Sequence, residues 1–340
     1  MERDAFEHPR VVECTIRGMR RGVGITLLGF LFGACGDSSS SSPADAGSDA
    51  PIGTRPPPNL PPKDNPPDGI DRTGLMGTPA VIADVGAATD GVSWRDADGA
   101  LYFTVTGTTL KKLVPGGSPT DVAYEDAGAH TPVGTATGGG ARLFVTEKGS
   151  IATIDFDDAG VPSAVARNTV PSGVVVDVAA NVEVDGGMRA FASDITSATG
   201  YVYDPPNLTT AFSLDAGKTV GVATRGSASS TNIYWAVTGH PGYGDVVFEY
   251  DNSGSQDDVV RLQAPPNAIA VDTAGSIYVA WARGIDVYVS DKLVGMSPGL
   301  PLAAIPTCLT FGGADRKTLF VTTAKGTIYA IPTTNAGVSR

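Results

Sequence analysis

A short β-type run recurs six times along this chain: LYFTV at Leu101–Val105, LFVTE at Leu143–Glu147, AFASD at Ala190–Asp194, IYWAV at Ile233–Val237, IYVAW at Ile277–Trp281 and LFVTT at Leu319–Thr323. Their first residues are 42, 47, 43, 44 and 42 positions apart. Every copy has an aromatic in second place, namely Tyr102, Phe144, Phe191, Tyr234, Tyr278 and Phe320. Aromatic and β-branched residues suit a pleated, half-buried surface, so each copy reads as a strand. Upstream of several copies stands another strand ending in a turn, as in Ala268–Ala280, where Asp272 and Gly275 separate two apolar runs. Downstream comes an alternating strand, such as Thr327–Pro332 or Ser150–Asp157. Four strands in a period of about 40 to 50 residues is the pattern of a β-propeller blade. A flat sandwich has no reason to repeat one aromatic at near-constant spacing, whereas blades around an axis need an equivalent packing residue between each sheet and the next. The expectation is an all-β, six-bladed propeller over residues 73–340.

Composition agrees. The 340 residues include 43 Gly and 25 Pro but only 18% charged side chains, which is rich in turn formers and poor in helix formers. A net charge of −12 excludes an extended nucleic-acid surface, which needs clustered cations. A monomer is expected.

The residues before 73 read differently. Met19, Arg20 and Arg21 precede an apolar run, Val23–Phe32, followed by Gly33, Ala34 and Cys35. A basic start, a short apolar core and small residues make a secretory signal over residues 1–34, with Met19 a candidate start. About a dozen apolar residues fall short of the roughly 20 that a spanning helix needs. Leu31–Cys35 resembles a bacterial lipobox, which places lipid on Cys35. Residues 35–72 carry Ser38–Ser42 and nine prolines and have too few apolar side chains to offset ordering entropy, so a disordered tether is expected. The reading is an exported, lipid-anchored propeller on the bacterial cell envelope, periplasmic or on the outer membrane, touching membrane through the anchor only. Cys308 is then the one thiol of the propeller, and buried packing is its expected role.

Two segments carry a family resemblance. Pro306–Pro332, PTCLTFGGADRKTLFVTTAKGTIYAIP, resembles the last blade of the regucalcin, senescence-marker-protein and gluconolactonase family. Asp90–Val105, DGVSWRDADGALYFTV, resembles that family's opening EGPxW element. The resemblance implies a six-bladed propeller that hydrolyses sugar lactones at a divalent cation (Ca, Zn or Mn), held by a Glu, an Asn and an Asp. Such a cation polarises the lactone carbonyl and activates water while a carboxylate takes the proton. Carried over, the metal set is Asp90 for the Glu, Asn181 for the Asn and Asn267 for the Asp. Asp90 is one methylene shorter than Glu, and Asn267 has no basic group at neutral pH. Asp194 is the substitute candidate for the base beside Asn267, and Thr131 or Val133 stands where the family has a substrate-contacting Asn.

Other motifs are sparse. After the leader only His130 and His240 remain, and no Gly-x-Ser-x-Gly elbow is present. Asp96, Asp98 and Gly99, and the stretch Asp155–Gly160, fall at expected hairpin turns. Gly239–Asp245, GHPGYGD, presents His240 and Tyr243 between glycines, either as a ligand-contacting loop or as a long inter-strand turn. Two functions stay open. One is a binding module for a small molecule or envelope component with a reduced metal site; the other is a metal-dependent lactone or ester hydrolase. The missing carboxylate at Asn267 favours binding.

Overall fold

A computed structural model describes residues 75–338, apart from 107, 125–130, 139–141, 171–176, 183–187, 195, 197–198, 215, 228–229, 251–255, 290–291 and 297–303. The signal, Cys35 and the whole of the tether expected from the sequence lie outside the described residues. Among the described residues every regular element is a strand.

The first strand, β1 (Ala80–Asp84), leads into a blade of β2 (Thr89–Arg95), β3 (Ala100–Val105), β4 (Thr109–Leu113) and β5 (Thr120–Asp121). A second blade is β6 (Pro132–Gly138), β7 (Arg142–Glu147), β8 (Ser150–Phe156) and β9 (Pro162–Thr169). The third is β10 (Asp177–Val182), β11 (Met188–Asp194), β12 (Thr199–Asp204) and β13 (Asn207–Ser213). The fourth is β14 (Lys218–Ser227), β15 (Ser230–His240), β16 (Gly244–Tyr250) and β17 (Gln256–Arg261). The fifth is β18 (Ala268–Val271), β19 (Ile277–Trp281), β20 (Gly284–Val289) and β21 (Lys292–Met296). Strands β22 (Pro306–Gly312), β23 (Thr318–Thr323) and β24 (Thr327–Pro332) complete the chain, and β1 joins them as the fourth strand of the sixth sheet. Six four-stranded antiparallel sheets result, as the repeat predicts.

Ring closure is the part the repeat does not announce. Strand β1 lies along β24, pairing Ala80 with Ala330 and Asp84 with Thr327, so the N-terminal end of the propeller is held in the last blade. A C-terminal tail adds a second tie. It crosses to the fifth blade, where Thr273 N donates to Ala336 O at 2.9 Å and Asn335 Nδ2 donates to Asp272 Oδ2 at 2.9 Å.

The repeated aromatics do the work expected of them. All six are at most 3% exposed, and five make a ring contact with the following blade. Tyr102 meets Phe156 at 5.6 Å, Phe144 meets Tyr203 at 5.9 Å, Phe191 meets Trp235 at 6.5 Å and Tyr278 meets Phe311 at 5.1 Å, all edge to face. Phe320 closes the circle by stacking on Trp94 at 5.4 Å. Edge-to-face and offset contacts are the favoured aromatic geometries, and each ring also buries a large apolar area. Cys308 is 4% exposed in the cluster that joins the fifth, sixth and first blades, in keeping with a packing role.

Threonines stitch the inner strands. Thr135 Oγ1 donates to Gly91 O at 2.6 Å and Thr137 Oγ1 to Trp94 O at 2.8 Å, so β2 and β6 run in the same direction around the axis. Gly91 has φ +47°, and a Cβ there would stand 2.4 Å from Gly134 Cα, so only glycine lets these two inner strands approach this closely.

Candidate functional site

The inner strands begin with a repeated irregularity. In the first blade Ser93 pairs with Tyr102 and Asp90 with Thr104, so three residues of β2 span two of β3. The register slips likewise between Pro132 and Gly134, between Thr219 and Gly221 and between Pro306 and Cys308. These are β-bulges, which bend a strand and re-aim its side chains. In the fifth blade Asn267 stands one residue before Ala268, and its backbone N–H donates to Ala280 O at 2.7 Å, the residue that Ala268 also faces. Counted from the residue opposite the repeated aromatic, the position three earlier is Asp90, Val133, Val220, Asn267 and Thr307 in the first, second, fourth, fifth and sixth blades. These five residues border one end of the ring, here called the mouth. The third-blade equivalent lies outside the described residues.

Asp90 and Asn267 are thus brought to the same level. Asp90 is half-buried and its Oδ1 accepts from Gly91 N at 2.9 Å. Asn267 is exposed and its Nδ2 donates to Pro306 O at 2.9 Å, bridging the fifth blade to the sixth. Thr307 Oγ1 donates to Thr89 O at 2.6 Å, bridging the sixth to the first.

Asn181 does not join them, and this corrects the expected metal set. It pairs with Arg189 and lies two residues beyond Ala179, which faces Phe191. Asp90 lies three residues before the corresponding Ser93, so the two stand at opposite ends of equivalent strands. The cause is hairpin length. Past the aromatic level the fifth blade adds one pair, Val271 with Ile277, whereas the third adds three, ending in Val182 with Met188. Two extra pairs shift the chain by four residues, so counting back from Phe191 lands on the wrong end of β10.

The second strands run back toward the mouth, and their last residues come beside it. Asp194 is fully buried, and its Oδ1 accepts from both Thr196 N and Thr196 Oγ1 at 2.7 Å, which anchors the turn after β11. Glu147 holds the equivalent place in the second blade and escaped the sequence reading, although it is the last letter of the repeated run. It is also fully buried, accepting from Tyr124 Oη at 3.0 Å, Ser150 Oγ at 2.8 Å and Arg167 Nε at 2.9 Å. Burial, aided by the Glu147 charge, pushes the Tyr124 hydroxyl well above its ordinary range.

Thr131 stands just before β6, half-buried, with its carbonyl accepting from Lys148 N at 3.1 Å. His240 and Tyr243 form the β15–β16 turn on the mouth side. Tyr243 is buried, 4.9 Å from the His240 ring and 5.5 Å from Phe248, while Asp245 Oδ1 clasps the turn by accepting from Thr238 Oγ1 at 2.8 Å and Gly239 N at 3.1 Å. This segment is a packed hairpin end that leaves His240 half-exposed. The two acidic stretches are turns as expected: Asp98 Oδ2 accepts from Tyr102 Oη at 2.6 Å, and Asp157 Oδ1 from Ala159 N at 3.0 Å and Val161 N at 2.8 Å. A cavity of about 190 Å³ lies beside β4, β5 and the start of β6, lined by Leu110, Val122, Tyr124 and Pro132, and none of the predicted site residues lines it.

Residues 88–325 match the family described as the SMP-30/gluconolactonase/LRE-like region. The chain belongs to this family. A search of curated proteins finds no match. Solved structures of the same shape include a luciferin-regenerating enzyme, 18% identical over 77% of this chain and 98% of that one, with a TM-score of 0.58. A gluconolactonase from Xanthomonas campestris is 18% identical over 82% of this chain and 99% of its own, with a TM-score of 0.57. Regucalcin from Agrobacterium tumefaciens, a calcium-binding protein, is 14% identical over 79% of this chain and 99% of its own, with a TM-score of 0.54. At these identities the likeness establishes the fold.

The resemblance implies a divalent cation, and the donors at the mouth were compared with what one requires. Calcium takes about six to eight oxygen ligands, carboxylates prominent among them. The described bulge positions offer one carboxylate, one amide and one hydroxyl, with valine at the other two. Among the described residues no group of three or more His, Cys, Asp or Glu comes together. Among the described residues this set offers fewer charged donors than a divalent cation ordinarily takes.

Proposed function

We propose that this member of the SMP-30/gluconolactonase/LRE-like family is a binding module whose mouth holds a small molecule or envelope component without hydrolysing it. The observation that carries the reading is the identity of the bulge residues. Asp90 is the one carboxylate among them, Asn267 offers an amide that cannot serve as a base, and Val133 and Val220 offer no ligand atoms. The remaining candidate base, Asp194, is fully buried and engaged in its own turn. Metal-assisted lactone hydrolysis uses a cation-activated water and a carboxylate that takes the proton, and Asp90 is the one carboxylate at the described bulge positions to serve both needs. Thr131, His240 and Tyr243 lie on the same side and are candidates to flank the ligand. The molecule is placed on the bacterial cell envelope, exported by residues 1–34, lipidated at Cys35 and held away from the membrane by the tether; the lipobox-like Leu31–Cys35 and the proline-rich 35–72 support that placement.

The test is turnover. The purified chain, given gluconolactone or a phenyl ester with Ca²⁺, Zn²⁺ or Mn²⁺, is expected to hydrolyse neither faster than its Asp90→Ala variant. Metal-dependent turnover that Asp90→Ala abolishes would establish the hydrolase reading, which also fits the family, in place of binding. For the anchor, Cys35→Ser is expected to move the protein from the membrane to the soluble fraction, and unchanged membrane association would refute lipidation.

A further inference from the structure

The fourth blade carries a cation on its mouth side that the protein does not pair. Arg261 ends β17, the outermost strand of that blade, and faces Val246 of β16. The next residue, Leu262, donates its N–H to Asp245 O at 2.9 Å, which ties this end of β17 to the turn of His240 and Tyr243. Directly opposed residues share a face of the sheet, so Arg261 stands on the face of Val246. That face is hydrocarbon and aromatic, with Trp235, Val246, Phe248 and Tyr243 packed toward Phe191 and Val202 of the third blade. Neighbours along a strand alternate faces, which turns Asp245 away from Val246 and Arg261. Glu249 also lies on that other face, where it accepts from Tyr234 Oη at 2.6 Å. The Arg261 guanidinium carbon lies 5.9 Å from the centre of the Tyr243 ring, and its Nε is buried with no acceptor among the described residues. Elsewhere the propeller gives its part-buried arginines a carboxylate: Arg95 has Asp98, Arg142 has Asp155, Arg167 has Glu147 and Arg316 has Asp96. Among the described residues none reaches Arg261.

From this arrangement we infer that Arg261 binds the anionic group, carboxylate or phosphate, of a small molecule that lies against the turn of His240 and Tyr243. A guanidinium keeps its charge throughout the pH range of a folded protein and presents its donors as a planar fork. Two parallel N–H groups of that fork match two oxygens of either anion. Apolar and aromatic neighbours lower the dielectric around Arg261, so an arriving anion is attracted more strongly than by a fully hydrated cation. A neutral ligand gains nothing from that charge, and a cationic one is repelled by it. The inference rests on the binding reading above, which sets His240 and Tyr243 beside the ligand, and adds the charge of that ligand.

The experiment is calorimetric titration of the full chain with benzoate, phenyl phosphate and benzyl alcohol, which share a ring and differ in the charged group. At least one of the anions is expected to bind at least about tenfold more tightly than the alcohol, and the ratio between the two anions separates a carboxylate ligand from a phosphate one. Arg261→Gln keeps a polar side chain without the charge; it should bring the anion down to the affinity of the alcohol and leave the alcohol unchanged. Arg261→Lys keeps the charge without the fork, so the anion should weaken severalfold there. If neither variant folds, the wild-type anion affinity should still fall with added salt while the alcohol affinity does not. Alcohol binding as tight as that of both anions, an anion affinity unchanged in Arg261→Gln, or no binding of either anion would overturn the inference. Metal-dependent lactone turnover would overturn the binding reading itself, a separate outcome that the titrations do not read.

Discussion

Replacing Asp286 by Asn removes a charge that the fifth blade buries at a cost. Asp286 on β20 is 3% exposed, and neither its Oδ1 nor the nearby Trp281 Nε1 has a hydrogen-bond partner among the described residues. Burial pushes its carboxyl up from 3.8 to about 6, with the Trp281 indole pulling weakly the other way. The folded chain therefore holds this proton more tightly than the unfolded chain. Below the unfolded value both states are neutral and the cost is absent. As pH rises from about 4 to about 6 the unfolded state gives up its proton first, so stability falls through that window and stays low above it. A carboxyl raised from 3.8 to about 6 by burial costs roughly 3 kcal/mol of stability at neutral pH. Asp286→Asn keeps the shape without the charge, so it should gain up to about 3 kcal/mol near pH 7.5, less whatever its own buried amide costs. That amide cost does not depend on pH, so the difference between the two proteins is the quantity to follow. Urea unfolding of both proteins at about pH 4, 5.5 and 7.5 measures it, and the gain of Asp286→Asn should grow by about 2 to 3 kcal/mol across the series. A difference that stays constant with pH would refute the argument.

Two further substitutions probe how the ring is held. A Cβ on Gly337 would stand 2.0 Å from Phe311 Cβ, so Gly337→Ala should lift the C-terminal tail from the fifth blade, cost about 2 kcal/mol and expose the tail to carboxypeptidase; an undigested tail and unchanged melting would contradict this. Thr135→Val deletes the one hydroxyl donor that lies between Gly91 O and Tyr102 O at the junction of the first two blades, and should lower stability in urea by about 1 to 2 kcal/mol.

The propeller was legible because one packing problem recurs six times. Each blade must present a large flat group to its neighbour, and Tyr102, Phe144, Phe191, Tyr234, Tyr278 and Phe320 record that need in the primary structure. Ring closure was not legible, since β1 reads AVIAD, carries no aromatic and finds its partner almost the whole propeller away in β24. Asp90 and Asn267 could be placed by counting because their hairpins differ little in length. The same count failed for Asn181, where the third blade extends its hairpin by paired residues that leave no mark at the turn. Glu147 had a signal, its place at the end of a repeated run, but only the fold shows it buried beneath Tyr124 and Arg167.

The most direct measurement on the central claim is a calorimetric titration of Ca²⁺, Zn²⁺ and Mn²⁺ into the full chain beside its Asp90→Ala variant. The donor set at the mouth predicts the same weak, unsaturated heats for both proteins. A stoichiometric site in the wild type that Asp90→Ala abolishes would contradict the account, and would return the mouth to the metal-dependent chemistry that the family resemblance implies.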